Sequence, residues 1–207
     1  SSVFDQQFIS VPDGRISCNK MFVASDNSVL ISGREEILSP SEKRPVVIRI
    51  SPDGAILWKA TLEATNTGIQ EFKGIAQEGE DTFLLTDGKG AVSRINIDGT
   101  VLDTFALELD DPITNLNDIY IAEDSSIYIL NQFYKLPSYS VISNPITASC
   151  IVVHHYDKEY NLLDNYVFGE GRGATANRIY MTSQSEILVY GTATKNNNTR
   201  GYLVGID

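Results

Sequence analysis

The segment VVIRISPDGAILWKATLE, residues 46–63, decides how the rest of the chain is read. An apolar, β-rich run meets Pro52-Asp53-Gly54. A second run follows in which Ile56, Trp58, Ala60 and Leu62 alternate with Leu57, Lys59, Thr61 and Glu63. Glycine supplies the positive φ of a tight turn, and period-two alternation marks a half-buried strand, so the segment predicts a β-hairpin. The same unit returns as AVSRINIDGTVLDTFALE (91–108) and, with what reads as a longer turn, as CIVVHHYDKEYNLLDNYVF (150–168).

Another hairpin lies upstream of each. MFVASDNSVLISG (21–33), GIAQEGEDTFLLTDG (74–88), IYIAEDSSIYILN (119–131) and IYMTSQSEILVYG (179–191) share a short apolar strand, a polar turn and a second strand. The second strands, such as Phe83-Leu84-Leu85 and Ile127-Tyr128-Ile129-Leu130, are apolar without alternation, as a strand covered on both faces requires. The outermost runs alternate or carry charge at Lys59, Asp103 and Asp164, as an exposed edge should. Each repeat therefore reads as four antiparallel strands, a to d, with approximate limits 11–63, 64–109, 110–168 and 169–207 plus 1–10. The last repeat ends at GYLVGID (201–207) without a strand d, while SSVFDQQFI (1–9) matches GTVLDTFAL (99–107), with Val3 on Val101, Asp5 on Asp103 and Ile9 on Leu107. The expectation is that the first residues complete the last sheet.

Four-stranded antiparallel repeats closed by a strand from the other terminus are the blades of a β-propeller. The segments IRISPDGAILWKATL and GYLVGID resemble the repeats of bacterial secreted or lipoprotein-type propellers. That resemblance covers nearly the whole chain and implies an all-β fold, a propeller of four four-stranded blades, in an extracytoplasmic setting, periplasmic or at the cell surface. Trp58 stands in one unit only, with Asp in the others. The Gly–His and Trp–Asp dipeptides of WD40 repeats are absent. Four blades is the low end of the usual range, so a part of a larger propeller, or a ring made by two chains, stays open beside closure within one chain. The oligomeric reading is accordingly monomer or homodimer.

Composition narrows the partners. The formal net charge is −11, from 16 Lys and Arg against 27 Asp and Glu. Nucleic-acid affinity rests on cations that neutralise phosphates, so this balance argues against a nucleic-acid partner and against an anionic membrane surface. No stretch approaches the roughly 18 apolar residues of a transmembrane helix. Cys18 and Cys150 are too few for a disulfide framework and lack metal-ligand spacing; one bridge or two separate thiols are both open.

In such repeats the b–c and d–a connections emerge on one face. The b–c segments REEILSPSEKRP (34–45), QFYKLPSYSVISNPITAS (132–149) and TATKNNNTR (192–200) are long, whereas DGKG (87–90) is minimal. Long loops on a rigid scaffold are where binding concentrates. The 132–149 loop carries Phe133, Tyr134, Leu136, Tyr139, Val141 and Ile142 with one charge, Lys135. It reads either as a docking surface for a protein or a sugar ring or as a self-buried cluster. Arg34 and Arg44 flank the first loop. Asn19-Lys20, Glu71-Phe72, Asn117-Asp118 and Asn177-Arg178 open the innermost strands, with Arg15 and Arg172 nearby, and could face a ligand or satisfy turn backbone.

Enzymatic motifs are weak. His154 and His155 point to opposite strand faces and cannot share a metal; His154 falls near the slot held by Arg49 and Arg94. GEGRG (169–173) lacks the strand-to-helix setting of a phosphate loop. No calcium loop or nucleophile elbow is present. No cofactor and no metal are expected. The leading expectation is a non-enzymatic binding or scaffold module whose long-loop face meets a protein or a carbohydrate. A hydrolase or lyase acting on a glycan or lactone through Glu35, Glu71 or Asp118 is the alternative.

Overall fold

The computed structural model describes residues 14–38, 41–62, 71–107, 114–135, 148–182, 186–195 and 198–206. The chain is all-β, and its strands form four antiparallel blades of the β-propeller type. It divides into two units, Ser1–Ala106 and Leu107–Asp207. The first holds two four-stranded meanders. One is β1 (Gly14–Val23), β2 (Val29–Leu38), β3 (Ser41–Ile50) and β4 (Ile56–Thr61); the other is β5 (Phe72–Gln77), β6 (Thr82–Asp87), β7 (Ala91–Asn96) and β8 (Val101–Ala106).

The second unit is one six-stranded sheet of β9 (Thr114–Ile121), β10 (Ile127–Lys135), β11 (Ala148–Tyr156), β12 (Leu162–Met181), β13 (Ile187–Lys195) and β14 (Asn198–Ile206). Its order is β14-β13-β12-β11-β10-β9. The 20-residue β12 does two jobs: Leu162–Phe168 pairs with β11 as the outer strand of the third blade, and Gly173–Met181 pairs with β13 as the inner strand of the fourth. The proposed closing strand, Val3–Ile9, lies outside the described residues.

The c–d turns share one geometry. Gly54 N donates to Ser51 O (2.9 Å), Gly99 N to Asn96 O (3.0 Å) and Tyr160 N to Asp157 O (3.1 Å). The third turn is therefore no longer than the others; Tyr160 takes a left-handed φ of 64° where Gly54 has 93° and Gly99 87°. Asp157 Oδ1 accepts from Glu159 N (3.0 Å) and Asn161 N (2.8 Å), which holds this non-glycine turn together. The a–b turns at Asn27 and Ser125 are matched in the same way, each with a left-handed residue after a carboxylate, Asp26 or Asp124, that caps a serine.

Antiparallel register lines up one residue from each strand of a blade. The rows are Phe22–Leu30–Arg49–Trp58 in the first blade, Ala76–Leu84–Arg94–Asp103 in the second and Tyr120–Tyr128–His155–Asp164 in the third. His155, not His154, thus occupies the slot of Arg49 and Arg94. In the first unit the blade 1 row faces blade 2. Phe22 meets Phe83 edge to face with centroids 6.4 Å apart. Arg49 donates to Ile97 O, to Ser28 Oγ (2.9 Å) and to Asp26 Oδ2 (2.6 Å). Trp58 Nε1 donates to Ile97 O (2.8 Å), and its ring lies on Gly99, where an added Cβ would come within 3.0 Å of it.

Leu30 of this row is buried in one cluster with Val47, Phe72, Ile75, Phe83, Leu85 and Ile95. Leu130, Ile151, Val153, Ala174, Ala176, Ile179, Ile187 and Val189 do the same between the third and fourth blades. Leu57 and Leu102 on the outer strands are half exposed, at 51% and 52%, so the outer strands sit at the rim as expected.

Full burial of Trp58 would put the loss on truncation at about 3–5 kcal/mol, but the side chain is only half buried. Trp58→Ala is expected to lower unfolding free energy by about 2–3 kcal/mol in urea denaturation, packing and the Ile97 bond together. A loss under about 1 kcal/mol would mean the ring holds no inter-blade contact.

Candidate functional site

The described parts of the long b–c segments are paired strands that extend each blade's ladder. β2 and β3 stay paired to Leu38↔Ser41, β10 and β11 to Lys135↔Ala148, and β13 and β14 to Lys195↔Asn198. The first ribbon is laced by charge: Arg15 Nε donates to Glu36 (2.7 Å), Arg44 Nη2 to Glu42 (2.6 Å), and Lys59 Nζ pairs with the buried Glu35. The cross-strand pair Arg15–Glu36 adds to a ladder whose residues read locally as polar loop.

In the second unit Phe133 pairs with Cys150 and Tyr134 with Ser149. Gly173 pairs with Ser149 on one side and Thr194 on the other, so two ribbons root side by side. Arg172 precedes that junction on β12. Leu136, Tyr139, Val141 and Ile142 lie outside the described residues.

Each innermost strand carries a one-residue bulge, at Asn19, Lys73, Asn117 and Asn177. The register selects Lys73 in the second blade, not Glu71-Phe72. A bulge leaves one residue unpaired and re-aims its side chain. Asn19 Nδ2 donates to Phe72 O and Asn117 Nδ2 to Ala176 O, both at 2.7 Å, linking each inner strand to that of the following blade. These amides bond a neighbouring strand rather than a turn. Asn177 is exposed, and its carbonyl accepts from Arg178 Nη1 (2.7 Å).

Around Asn19 the structure gathers three sequence candidates. Glu71 lies 3.4 Å from Asn19 Nδ2 and 3.7 Å from Arg34, with Lys73 at 3.6 Å. The carboxylates considered for acid–base work are each engaged: Glu35 by Lys59, Glu71 by these two cations, and Asp118 by Ile119 N (3.0 Å) and, on the next inner strand, Ile179 N (3.1 Å). His154 bonds Asn131 (3.1 Å) and Asn165 (2.6 Å), while His155 stacks on Tyr128 with centroids 4.3 Å apart. Cys18 is an exposed free thiol.

Asp87 was not among the sequence candidates. It stands where the other blades place Gly33, Asn131 and Gly191 opposite the bulge. Those two glycines are required by space: a Cβ would lie 1.9 Å from Ser17 O at Gly33 and 2.0 Å from Thr175 O at Gly191. Asp87 Oδ1 accepts from Ala91 N (2.7 Å) and Lys89 N (2.9 Å), but Oδ2 is buried without a hydrogen bond. Burial pushes its carboxyl above the ordinary range, and the N–H bonds only partly offset this. A single minimal turn, DGKG, was the available signal. Among the described residues no three His, Cys, Asp or Glu side chains gather as metal ligands, and no helix is long and apolar enough to cross a membrane.

No protein-family model matches the chain, and no curated protein matches it. Solved structures do. A member of the DUF4221 family from Bacteroides vulgatus is 8% identical, with a TM-score of 0.51, over 90% of this chain and 63% of that one. Sqt1 of Saccharomyces cerevisiae is 12% identical, with a TM-score of 0.51, over 90% of this chain and 48% of that one. A hydrazine synthase from Kuenenia stuttgartiensis is 11% identical, with a TM-score of 0.50, over 95% of this chain and 60% of that one. The chain thus spans 48–63% of the length of these proteins. At such identities the likeness is one of fold.

The raised carboxyl of Asp87 has a defined pH signature. A folded-state pKa above the unfolded value means that protonation favours the fold, and this contribution is lost as pH rises through the folded pKa. The stability of Asp87→Asn relative to the parent chain is therefore expected to improve from pH 4 to pH 7, read by urea denaturation. A difference that shrinks or reverses over that span would contradict the burial argument.

Proposed function

We propose that the chain is a non-enzymatic binding or scaffold module whose b–c ribbons contact a protein partner, with a carbohydrate as the competing ligand class. The observation that carries this reading is the junction at Gly173, which roots two ribbons next to each other with Phe133, Tyr134 and Arg172 close by in register. Aromatic and arginine side chains are the residue types that anchor protein interfaces. The engagement of Glu35, Glu71 and Asp118 by cations or backbone N–H groups supports binding over acid–base catalysis. An extracytoplasmic setting, implied by the propeller resemblance, and a monomer or homodimer complete the proposal.

A photo-crosslinking residue at position 134, compared with one at the rim residue Leu102, tests it in the native host. A discrete protein adduct from 134 alone, reduced about tenfold by Phe133→Ala with an unchanged melting temperature, is the expected result. Equal labelling from both positions, or a glycan-array signal lost in Phe133→Ala without any protein adduct, would overturn the protein assignment.

A further inference from the structure

The two units treat the same inter-blade seam differently. Between blades 1 and 2 the row Phe22–Leu30–Arg49–Trp58 bridges it: Arg49 and Trp58 both reach Ile97 O, and Ser25 and Gln77 bond across it, Ser25 N to Gln77 Oε1 at 2.9 Å and Gln77 Nε2 to Ser25 Oγ at 2.8 Å. Between blades 3 and 4 the long Arg and the Trp are replaced by His155 and Asp164. His155 lies flat on Tyr128, at an interplanar angle of 11°, instead of reaching onward. Its Nε2 is buried without a hydrogen bond. A cavity of 380 Å³ is left open there, lined by Tyr120, Tyr128, Glu123, Asp124, Ser126 and Met181 among others. That volume lies within the range of small-molecule sites.

The walls specify a ligand class. Tyr120 and Tyr128 are cross-strand partners and share a face, with the thioether of Met181 on the next blade. Glu123 and Asp124 supply two carboxylates, and among the described residues no Lys or Arg lines the space. Asp124 Oδ1 accepts from Ser126 N (3.0 Å) and Ser126 Oγ (2.6 Å), which holds that carboxylate in place on the cavity wall. Aromatic walls with adjacent carboxylates attract an organic ammonium through ring quadrupoles and charge together. From this geometry we propose that the seam between blades 3 and 4 binds a small organic cation of the alkylammonium class. The site lies at the a–b turn end of the strands, opposite the ribbons, and stands independently of their role.

The test titrates the full chain with choline and with its neutral isostere 3,3-dimethylbutan-1-ol, following amide shifts by NMR. Choline is expected to shift Tyr120–Tyr128 and Met181–Thr182 resonances and to bind at least about tenfold more tightly than the alcohol. Glu123→Gln, at an exposed position that carries no packing, is expected to weaken choline about three- to tenfold and leave the alcohol unchanged. Tyr128→Leu, which installs the residue that blades 1 and 2 carry there, should weaken choline further while the fold persists. Equal affinity for the two probes would overturn the cation assignment, as would shifts confined to other residues or no response to choline.

Discussion

The extra residue in each innermost strand is the constraint on which the rest of the structure depends. Neighbouring inner strands share no backbone ladder, so something else must hold one blade against the next. The bulge does this by turning one residue out of the pleat. From there Asn19 and Asn117 each reach a main-chain oxygen of the next blade at 2.7 Å. The short amide side chain loses little conformational freedom in making such a bond. Asp118 adds a second link of the same kind by accepting from Ile179 N. With the inner edges fixed, apolar residues such as Phe72, Ile75, Ala176 and Ile179 are brought into the seams and buried there.

Once the seam is set, a single row of side chains per blade decides what fills it. Arg49 and Trp58 tie the first seam together at Ile97 O; His155 and Asp164 hold those positions in the other unit, where a cavity lies beside Tyr120, Tyr128 and Met181. One repeat plan thereby yields a bridged joint in one unit and a lined cavity in the other, with all four residues of the row exchanged. The ribbons are a separate elaboration at the other end of the strands. In their described parts strand pairing extends the ladder, and in the first ribbon charged contacts such as Arg15 with Glu36 add to it.

Much of this was legible in the sequence. Pro52-Asp53-Gly54 and Asp98-Gly99 announce their turns through glycine's access to positive φ, and the unbroken runs around Phe83-Leu85 and Ile127-Leu130 announce strands covered on both faces. What escaped has physical causes. A bulge adds one residue without changing composition, so the candidate in the second blade slipped from Lys73 to Glu71-Phe72. The slot of Arg49 and Arg94 slipped in the same way from His155 to His154. The turn at Asp157–Asn161 looked longer because Tyr160, rather than Gly, takes the left-handed position. Residues 34–45 looked like a loop because Glu35, Glu36, Lys43 and Arg44 are polar one by one, and only cross-strand register shows them as partners. Of the candidate residues, Asn19 and Arg34 converge around Glu71, Phe133 and Tyr134 sit at the base of a ribbon, and Tyr139 falls outside the described residues.

Hydrogen–deuterium exchange of Asn117→Ala beside the parent chain measures the inter-blade bond most directly. If the bulged amide couples the two blades, exchange should quicken in both Thr114–Ile121 and residues 174–181. Acceleration confined to Thr114–Ile121, with residues 174–181 unaltered, would contradict the account.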